Sequence, residues 1–345
     1  MYMNLSKILF LIMMWLGSLM VISANSWLGL WMGLEINLMA FIPILVSKNN
    51  LNNSEASLNY FLIQAFASTV LLFSIIFLIL NNNMMFMNIL ILPDLSMKLI
   101  TLALMMKLGA PPFHFWFPNV MENINWINGL ILMTWQKLGP MMVLSYFIKP
   151  NIIFISFILL STFMGAIGGL NQISLRKLLA FSSINHLGWM FVALMYNENI
   201  WIMYFVIYSF MNFCLIYMFK IFQIFYLNQV YSIFMSSPLL KITLLTSMLS
   251  LGGLPPFLGF APKWMIIQSL SFMNMNLMNL FLICMSLVTL FYYLKISIAS
   301  LLFNYNEFNF FFKNFFYYNK FLIMLKFNFL SLFGFFIVVE LMYLL

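Results

Sequence analysis

The stretch Lys107-Leu-Gly-Ala-Pro-Pro-Phe-His-Phe-Trp-Phe-Pro118 decides the fold, because its pattern returns in Gly252-Gly-Leu-Pro-Pro-Phe-Leu-Gly-Phe-Ala-Pro-Lys-Trp264. Both reduce to Gly-x-Pro-Pro-Phe-x-x-x-x-Pro. The first copy places Gly109, Pro111, Pro112, Phe113 and Pro118; the second places Gly253, Pro255, Pro256, Phe257 and Pro262. Each copy interrupts an apolar run that would otherwise be an uneventful membrane helix. Met97 to Leu108 makes roughly 18 Å of helix before the break, too little to cross about 30 Å of hydrocarbon. Two half-helices are therefore predicted there, and the backbone groups they free need polar side chains, buried protein or water as partners. Pro-Pro-Phe also suits an ordinary loop between separate helices. Two copies with the same internal spacing, each beside a lysine, point instead to paired broken helices. That arrangement marks the transport site of carriers built as inverted repeats, here with residues 57–147 echoed by 200–303.

Working outward, 65% hydrophobic and 6% charged residues in a 345-residue chain leave too little polar surface for a soluble globule. Long apolar runs without barrel-like alternation predict an all-α polytopic membrane protein. The expected crossings are 5–24, 27–46, 57–80, 97–120, 124–147, 151–171, 175–195, 200–226, 238–272, 275–303 and 322–344. These are about eleven transmembrane helices, two of them broken, in a single domain over 1–345. An odd number puts the termini on opposite sides. Lys7, Lys48, Arg176, Lys177, Lys313 and Lys320 fall on the side of the N-terminus, against mainly Lys98 and Lys149 on the other, which places the N-terminus inside. Aromatic residues from Phe308 to Tyr318 suit an interfacial loop over 304–320.

The net charge of +8 comes from scattered cations, so no nucleic-acid partner is expected. Cys214 and Cys284 stand alone in apolar segments, and His114 and His186 lack metal-ligand spacing. No metal, haem, flavin or nucleotide site is expected in this chain. The first apolar run begins almost at Met1, leaving no room for a cleavable signal or an arginine-rich transit peptide. The 32 Met and 41 Phe suggest A/T-rich codons and a small organellar genome.

Buried charges carry the functional expectation, since a charge at the bilayer centre costs about 2.5 to 3.5 kcal/mol to insert. Glu35 falls in the second crossing, Lys107 beside the first break, Lys137 in the fifth crossing and Lys263 in the second break. Snorkelling to the interface is the plain alternative for each lysine, and a neutral buried acid for Glu35. Gly29 and Gly33 form a close-packing Gly-x-x-x-Gly face near Glu35, which would bring a lysine within reach. A Glu and Lys about 4 Å apart attract by about 4 kcal/mol at an effective dielectric near 20. Moving one proton against 100 mV takes about 2.3 kcal/mol, so such a pair suffices as a switch. His186 lies in a polar stripe, Arg176-Lys-Leu-Leu-Ala-Phe-Ser-Ser-Ile-Asn-His186, and is either a relay imidazole or a hydrogen-bonded helix contact. Gly165, Gly168 and Gly169 suit close packing, and His114 suits a structural role.

The two Pro-Pro-Phe phrases and the Arg176–His186 stripe resemble the antiporter-like subunits of respiratory complex I and the related multisubunit cation/proton antiporters. Trp27-Leu-Gly-Leu-Trp-Met-Gly-Leu-Glu-Ile-Asn37 narrows the resemblance to the members encoded in animal mitochondria. The family usually has fourteen crossings and the animal form lacks the first three, which agrees with eleven. The resemblance implies a proton relay through Glu35, Lys107, Lys137 and Lys263, with His186 a looser match. It also implies an inner-membrane location, with the N-terminus in the matrix and the C-terminus in the intermembrane space. Partners would be the other membrane-arm subunits and lipids, with cardiolipin a candidate. NADH, FMN, iron-sulfur clusters and ubiquinone would belong to the rest of the complex. Two rivals stay open: a stand-alone cation/proton antiporter, and a structural or assembly subunit. The isolated purified chain is expected to oxidise no NADH with any acceptor; measurable turnover would show that a redox site had been overlooked.

Overall fold

The computed structural model describes residues 5–46, 51–82, 94–148, 151–233, 238–302 and 325–335, with positions 338 and 340. Apolar runs with no water to satisfy their backbone close their hydrogen bonds internally, and the described residues are mostly helical. The one β-type pairing among them is an isolated bridge between Ser174 and Tyr226. The chain forms two compact units, Met1–Asn151 and Ile152–Leu345. The first holds α1 (Leu5–Ser23), α2 (Trp27–Leu45), α3 (Leu51–Asn82), α4 (Asp94–Leu108), α5 (Trp116–Asn123), α6 (Trp126–Met133) and α7 (Trp135–Ser145). The second holds α8 (Ile152–Gly169), α9 (Leu175–Tyr196), α10 (Glu198–Phe222), α11 (Leu227–Ile233), α12 (Pro238–Gly252), α13 (Phe260–Phe272) and α14 (Asn276–Leu302), followed by α15 (Leu325–Phe335).

Seven of the described helices, α1, α2, α3, α8, α9, α10 and α14, are each long and apolar enough to cross a membrane. The expected loop over 304–320, with Phe308 to Tyr318, lies outside the described residues, as do Lys48, Lys149, Lys313 and Lys320. Of the expected last helix, Leu325–Phe335 is described.

Both Pro-Pro-Phe breaks end their first half-helix in the same way. Gly109 and Gly253 take positive φ values of 71° and 80°, a conformation that glycine enters without a Cβ penalty. At the first, Gly109 N–H donates to Met106 O and Ala110 N–H to Met105 O; at the second, Gly253 N–H donates to Ser250 O and Leu254 N–H to Leu249 O. This is the Schellman closure, which returns two otherwise orphaned carbonyls to the hydrogen-bond ladder. The prolines then prevent the helix from resuming at once, and the second halves start at Trp116 and Phe260. The Pro111–Pro112 bond is cis.

The fifth expected crossing, taken as continuous over 124–147, is also divided. Helix α6 stops at Met133, Thr134 adopts φ −113° and ψ −74°, and α7 begins at Trp135. The Thr134 hydroxyl donates to Leu130 O at 2.7 Å, in competition with the backbone. Pro140, lacking an N–H, cannot return a bond to the first turn of α7. A threonine is a weak signal for a break, so the pattern concealed it.

Glycines set the closest helix contacts. Gly17 of α1 lies against the backbone of Gly33 and Asn37 of α2. Gly33 therefore works as a packing face, and its partner helix brings no lysine to that level; Gly29 faces Ser26 and Ala24 instead. In the second unit Gly165 meets the Asn185 backbone, Gly168 meets Phe181, and Gly188 meets Ser161 and Thr162, so α8 and α9 run in close contact. Gly169 meets Tyr292 of α14. Helix α9 is buried along most of its length.

Two neighbouring glycines make a controlled comparison. A Cβ on Gly259 would collide with the carbonyl oxygen of Ser250, whereas one on Gly252 would find its nearest atom, in Leu290, at 3.6 Å. Gly252→Ala is expected to assemble normally and to gain up to about 1 kcal/mol from reduced backbone freedom. Gly259→Ala should lose assembled protein on native gels and lower the thermal midpoint.

Candidate functional site

In the first unit, the break after α4, the middle of α3 and the start of α7 converge on one cavity. Its volume is about 20 Å³, and Asn37, Tyr60, Gln64, Lys107, Gln136 and Lys137 supply its polar lining. That is about the space one water needs. Lys107, in the last turn of α4, keeps 7% of its surface exposed and Lys137 keeps 2%. Neither ammonium therefore snorkels along the outside of the unit. Lys107 Nζ is buried without a hydrogen-bond partner among the described residues. Lys137 Nζ sits 5.3 Å from the centre of the Phe117 ring, within cation–π range. Phe117 lies in the first turn of the second half of the broken helix, so the break itself supplies the wall beside Lys137.

Glu35 is partly exposed on α2, and its charge acts on both Lys107 and the Tyr60 hydroxyl. The Lys107 ammonium makes no direct hydrogen bond to it. Freed backbone at the break finds a side chain, as membrane burial requires. Gln64 Nε2 donates to Lys107 O at 3.0 Å, closing the C-terminus of α4. Gln136 is held between Asn37 Oδ1, to which its Nε2 donates at 3.1 Å, and the Tyr60 hydroxyl, from which its Oε1 accepts at 3.4 Å. His114 lies in the turn of the break with its ring against Phe115.

In the second unit, Lys263 keeps 4% of its surface exposed. Its Nζ donates to Gly252 O at 2.7 Å and lies 5.9 Å from the Trp189 ring. The ammonium therefore caps the C-terminus of α12, where the helix dipole is negative. His186 Nδ1 pairs with the Tyr204 hydroxyl at 2.8 Å, and the Tyr208 ring lies 5.1 Å away. His186, Tyr204, Tyr208, Ser250 and Pro262 line a small cavity of about 10 Å³ beside the second break. Ser183 and Asn212 lie beside the Tyr208 hydroxyl.

Within the first unit, then, Lys107 and Lys137 line one water-sized space, and Glu35 stands on α2 outside its wall. Within the second, Lys263 caps the first half of the break at Gly252, and His186 lines the small cavity that Ser250 and Pro262 help to wall. Sequence reasoning missed Asn37, Tyr60, Gln64, Gln136, Tyr204 and Tyr208. A lone amide inside an apolar run was an available signal for Asn37, Gln64 and Gln136. The tyrosines gave none, being scattered among 15 of their kind. Among the described residues, no group of three or more His, Cys, Asp or Glu could hold a metal ion.

Comparison with known proteins adds the family. The model for the membrane region of NADH:quinone oxidoreductases and Mrp antiporters matches residues 24–289. A protein of Anopheles gambiae named NADH-ubiquinone oxidoreductase chain 2 is 49% identical over 334 residues, covering 96% of both chains. The protein of that name from Equus asinus is 39% identical over 293 residues, covering 84% of both. Among solved structures, a chain of respiratory complex I from Thermus thermophilus superposes with a TM-score of 0.78 at 24% identity, covering 87% of this chain and 71% of that one. A chain of the Mrp complex from Dietzia gives 0.74 at 15% identity, covering 84% and 59%.

Gln64→Leu keeps a similar side-chain size but leaves the Lys107 carbonyl unpaired. It is expected to destabilise the protein by about 1 to 3 kcal/mol, the cost of a buried orphan acceptor, read as a lowered thermal midpoint of the purified protein; an unchanged midpoint would show that another group, such as water, closes α4.

Proposed function

The chain belongs to the NADH:quinone oxidoreductase/Mrp antiporter membrane family, and we propose that its buried lysines relay protons across the membrane. It is a membrane subunit of respiratory complex I and shares as such in the NADH:ubiquinone reductase activity. Electron transfer runs in other subunits, which hold NADH, FMN, the iron-sulfur clusters and ubiquinone. Its energy reaches this chain through charge. The observation that carries the relay is the burial of Lys107 and Lys137 on one water-sized cavity, with the Glu35 charge acting on the first. An ammonium without a direct partner is held by field and hydration, and both change when a neighbouring charge changes. Protonation of Lys107, controlled by Glu35, exchanges with Lys137, and Lys263 with His186 serves the second unit.

The finer architecture follows the same reading. Eleven crossings result if α4 with α5, α6 with α7, and α12 with α13 each count as one divided crossing, α15 counts as part of the last, and the seven-residue α11 is left out as too short to cross. The matching closures at Gly109 and Gly253 support two inverted repeats, over 57–147 and 200–303, within one domain. Arg176 and Lys177 at the start of α9 support a matrix-facing N-terminus, with the C-terminus in the intermembrane space of the mitochondrial inner membrane. Neighbouring membrane-arm subunits and lipids, cardiolipin among them, would cover the apolar outer faces.

One observation favours a structural role for one residue. The bond from Lys263 to Gly252 O makes this lysine a helix cap as well as a candidate relay group. A stand-alone antiporter would exchange ions in liposomes without partner subunits, which separates that reading from this one. The deciding measurement is proton pumping against electron transfer in assembled complex carrying Lys107→Ala, in sealed liposomes. Normal assembly with impaired pumping and coupled turnover is expected; unchanged pumping would remove Lys107 from the mechanism, and failed assembly would mark it as structural.

A further inference from the structure

Gln136 stands among the relay groups although it cannot ionise. Its contacts to Asn37 and Tyr60 use one N–H and one lone pair. An amide has two of each, so one donor and one acceptor position are left over. Lys107 lines the same cavity, and its Nζ has no hydrogen-bond partner among the described residues. The cavity holds about 20 Å³, and a water in such a space needs two to four polar partners.

We propose that Gln136 is a positioning residue for the proton relay, clamped by Asn37 and Tyr60 so that it holds a water beside Lys107 and Lys137 whichever of them carries the charge. The proposal rests on the relay itself and deepens it. Beside an ammonium, which only donates, a water turns its lone pair to the nitrogen and must place its own hydrogens on an acceptor. Beside a neutral amine the water donates to nitrogen and itself needs a donor. Gln136 offers Oε1 for the first state and N–H for the second, with no change of its own charge. A carboxylate there would offer acceptors alone and would hold the neighbouring lysine in one state; a leucine would offer neither and leave the space dry. The clamp comes from two different helices. Asn37 lies on α2, two residues beyond Glu35, and Tyr60 lies on α3. The site of the amide is therefore tied to the helix that carries the controlling acid.

The test uses assembled complex in sealed liposomes, comparing the parent with Gln136→Leu, Gln136→Glu, Tyr60→Phe, the Gln136→Leu/Tyr60→Phe double variant, and Lys137→Ala. NADH oxidation by an artificial acceptor, coupled turnover and protons moved per electron are measured on each. Gln136→Leu and Gln136→Glu are both expected to slow coupled turnover about fivefold, the scale of one lost hydrogen bond, while oxidation by the artificial acceptor is unchanged. Tyr60→Phe should give a smaller loss that disappears in the double variant, because the clamp has nothing left to hold. Parent-like turnover in Gln136→Leu beside a defective Lys137→Ala would overturn the clamp and leave the relay standing. Parent-like behaviour in both would overturn the relay. If Gln136→Leu fails to assemble, the isosteric Gln136→Glu decides: parent-like coupling sinks the proposal and a slowed enzyme supports it. A Tyr60→Phe loss that persists undiminished in the double variant also overturns it.

Discussion

A helix that stops inside hydrocarbon leaves carbonyl oxygens with no water to bond, and the polar interior of this protein is organised around closing them. Two of the four at each break are taken back by the glycine turn. Side chains reach the next ones. Gln64 bonds the Lys107 carbonyl in the first unit, and Lys263 bonds the Gly252 carbonyl in the second. An unmet carbonyl in an apolar medium costs several kcal/mol, so each break requires polar side chains at depth. Once amides, hydroxyls and ammonium groups have been drawn into the interior for that purpose, space beside them can hold water.

The same breaks explain how buried cations are tolerated. A lysine costs about 2.5 to 3.5 kcal/mol to place at the bilayer centre, and a hydrogen bond to a charged group returns about 1.5 to 3 kcal/mol. For Lys263 these nearly balance, through Gly252 O and the face of Trp189. Lys107 has no such bond among the described residues. It lines the water-sized cavity instead, with Glu35 as the nearby opposite charge. A group held by long-range field responds to changes elsewhere, whereas a group held by a direct bond to backbone is stiffer. The two breaks thus share a closure and differ in how firmly each fixes its lysine.

Much of this was legible in the residues. Apolar run length predicted most of the long helices, and Gly-x-Pro-Pro-Phe located two interruptions correctly, because the physics of glycine and proline is local. Depth in an apolar run located Lys107, Lys137 and Lys263. The division at Thr134 was hidden, since it depends on a hydroxyl turning to Leu130 and on Pro140 acting six residues later. The Gly29 and Gly33 spacing suggested one face, but only Gly33 meets another helix; α1 chose the contact. Tyr60 and Gln136 meet across separate helices, and no pattern along the chain records a pairing set by how those helices pack.

Helix α9 has a consequence for how the protein is made. It carries Ser182, Ser183, Asn185 and His186 in a stretch whose mean hydropathy is 1.5, below the 2.1 of α8, with Arg176 and Lys177 in its first turn. Alone in lipid it would present that polar stripe to acyl chains. Helix α8 precedes it in synthesis and offers Gly165 and Gly168 against Asn185 and Phe181, so a hairpin of the two covers Asn185, while His186 and Ser183 find their partners on α10. The glycines of α8 thereby matter to a poorly lipophilic segment as a companion in lipid as well as a contact in the folded protein, since a side chain at Gly165 would push away the one neighbour that covers Asn185 from that side.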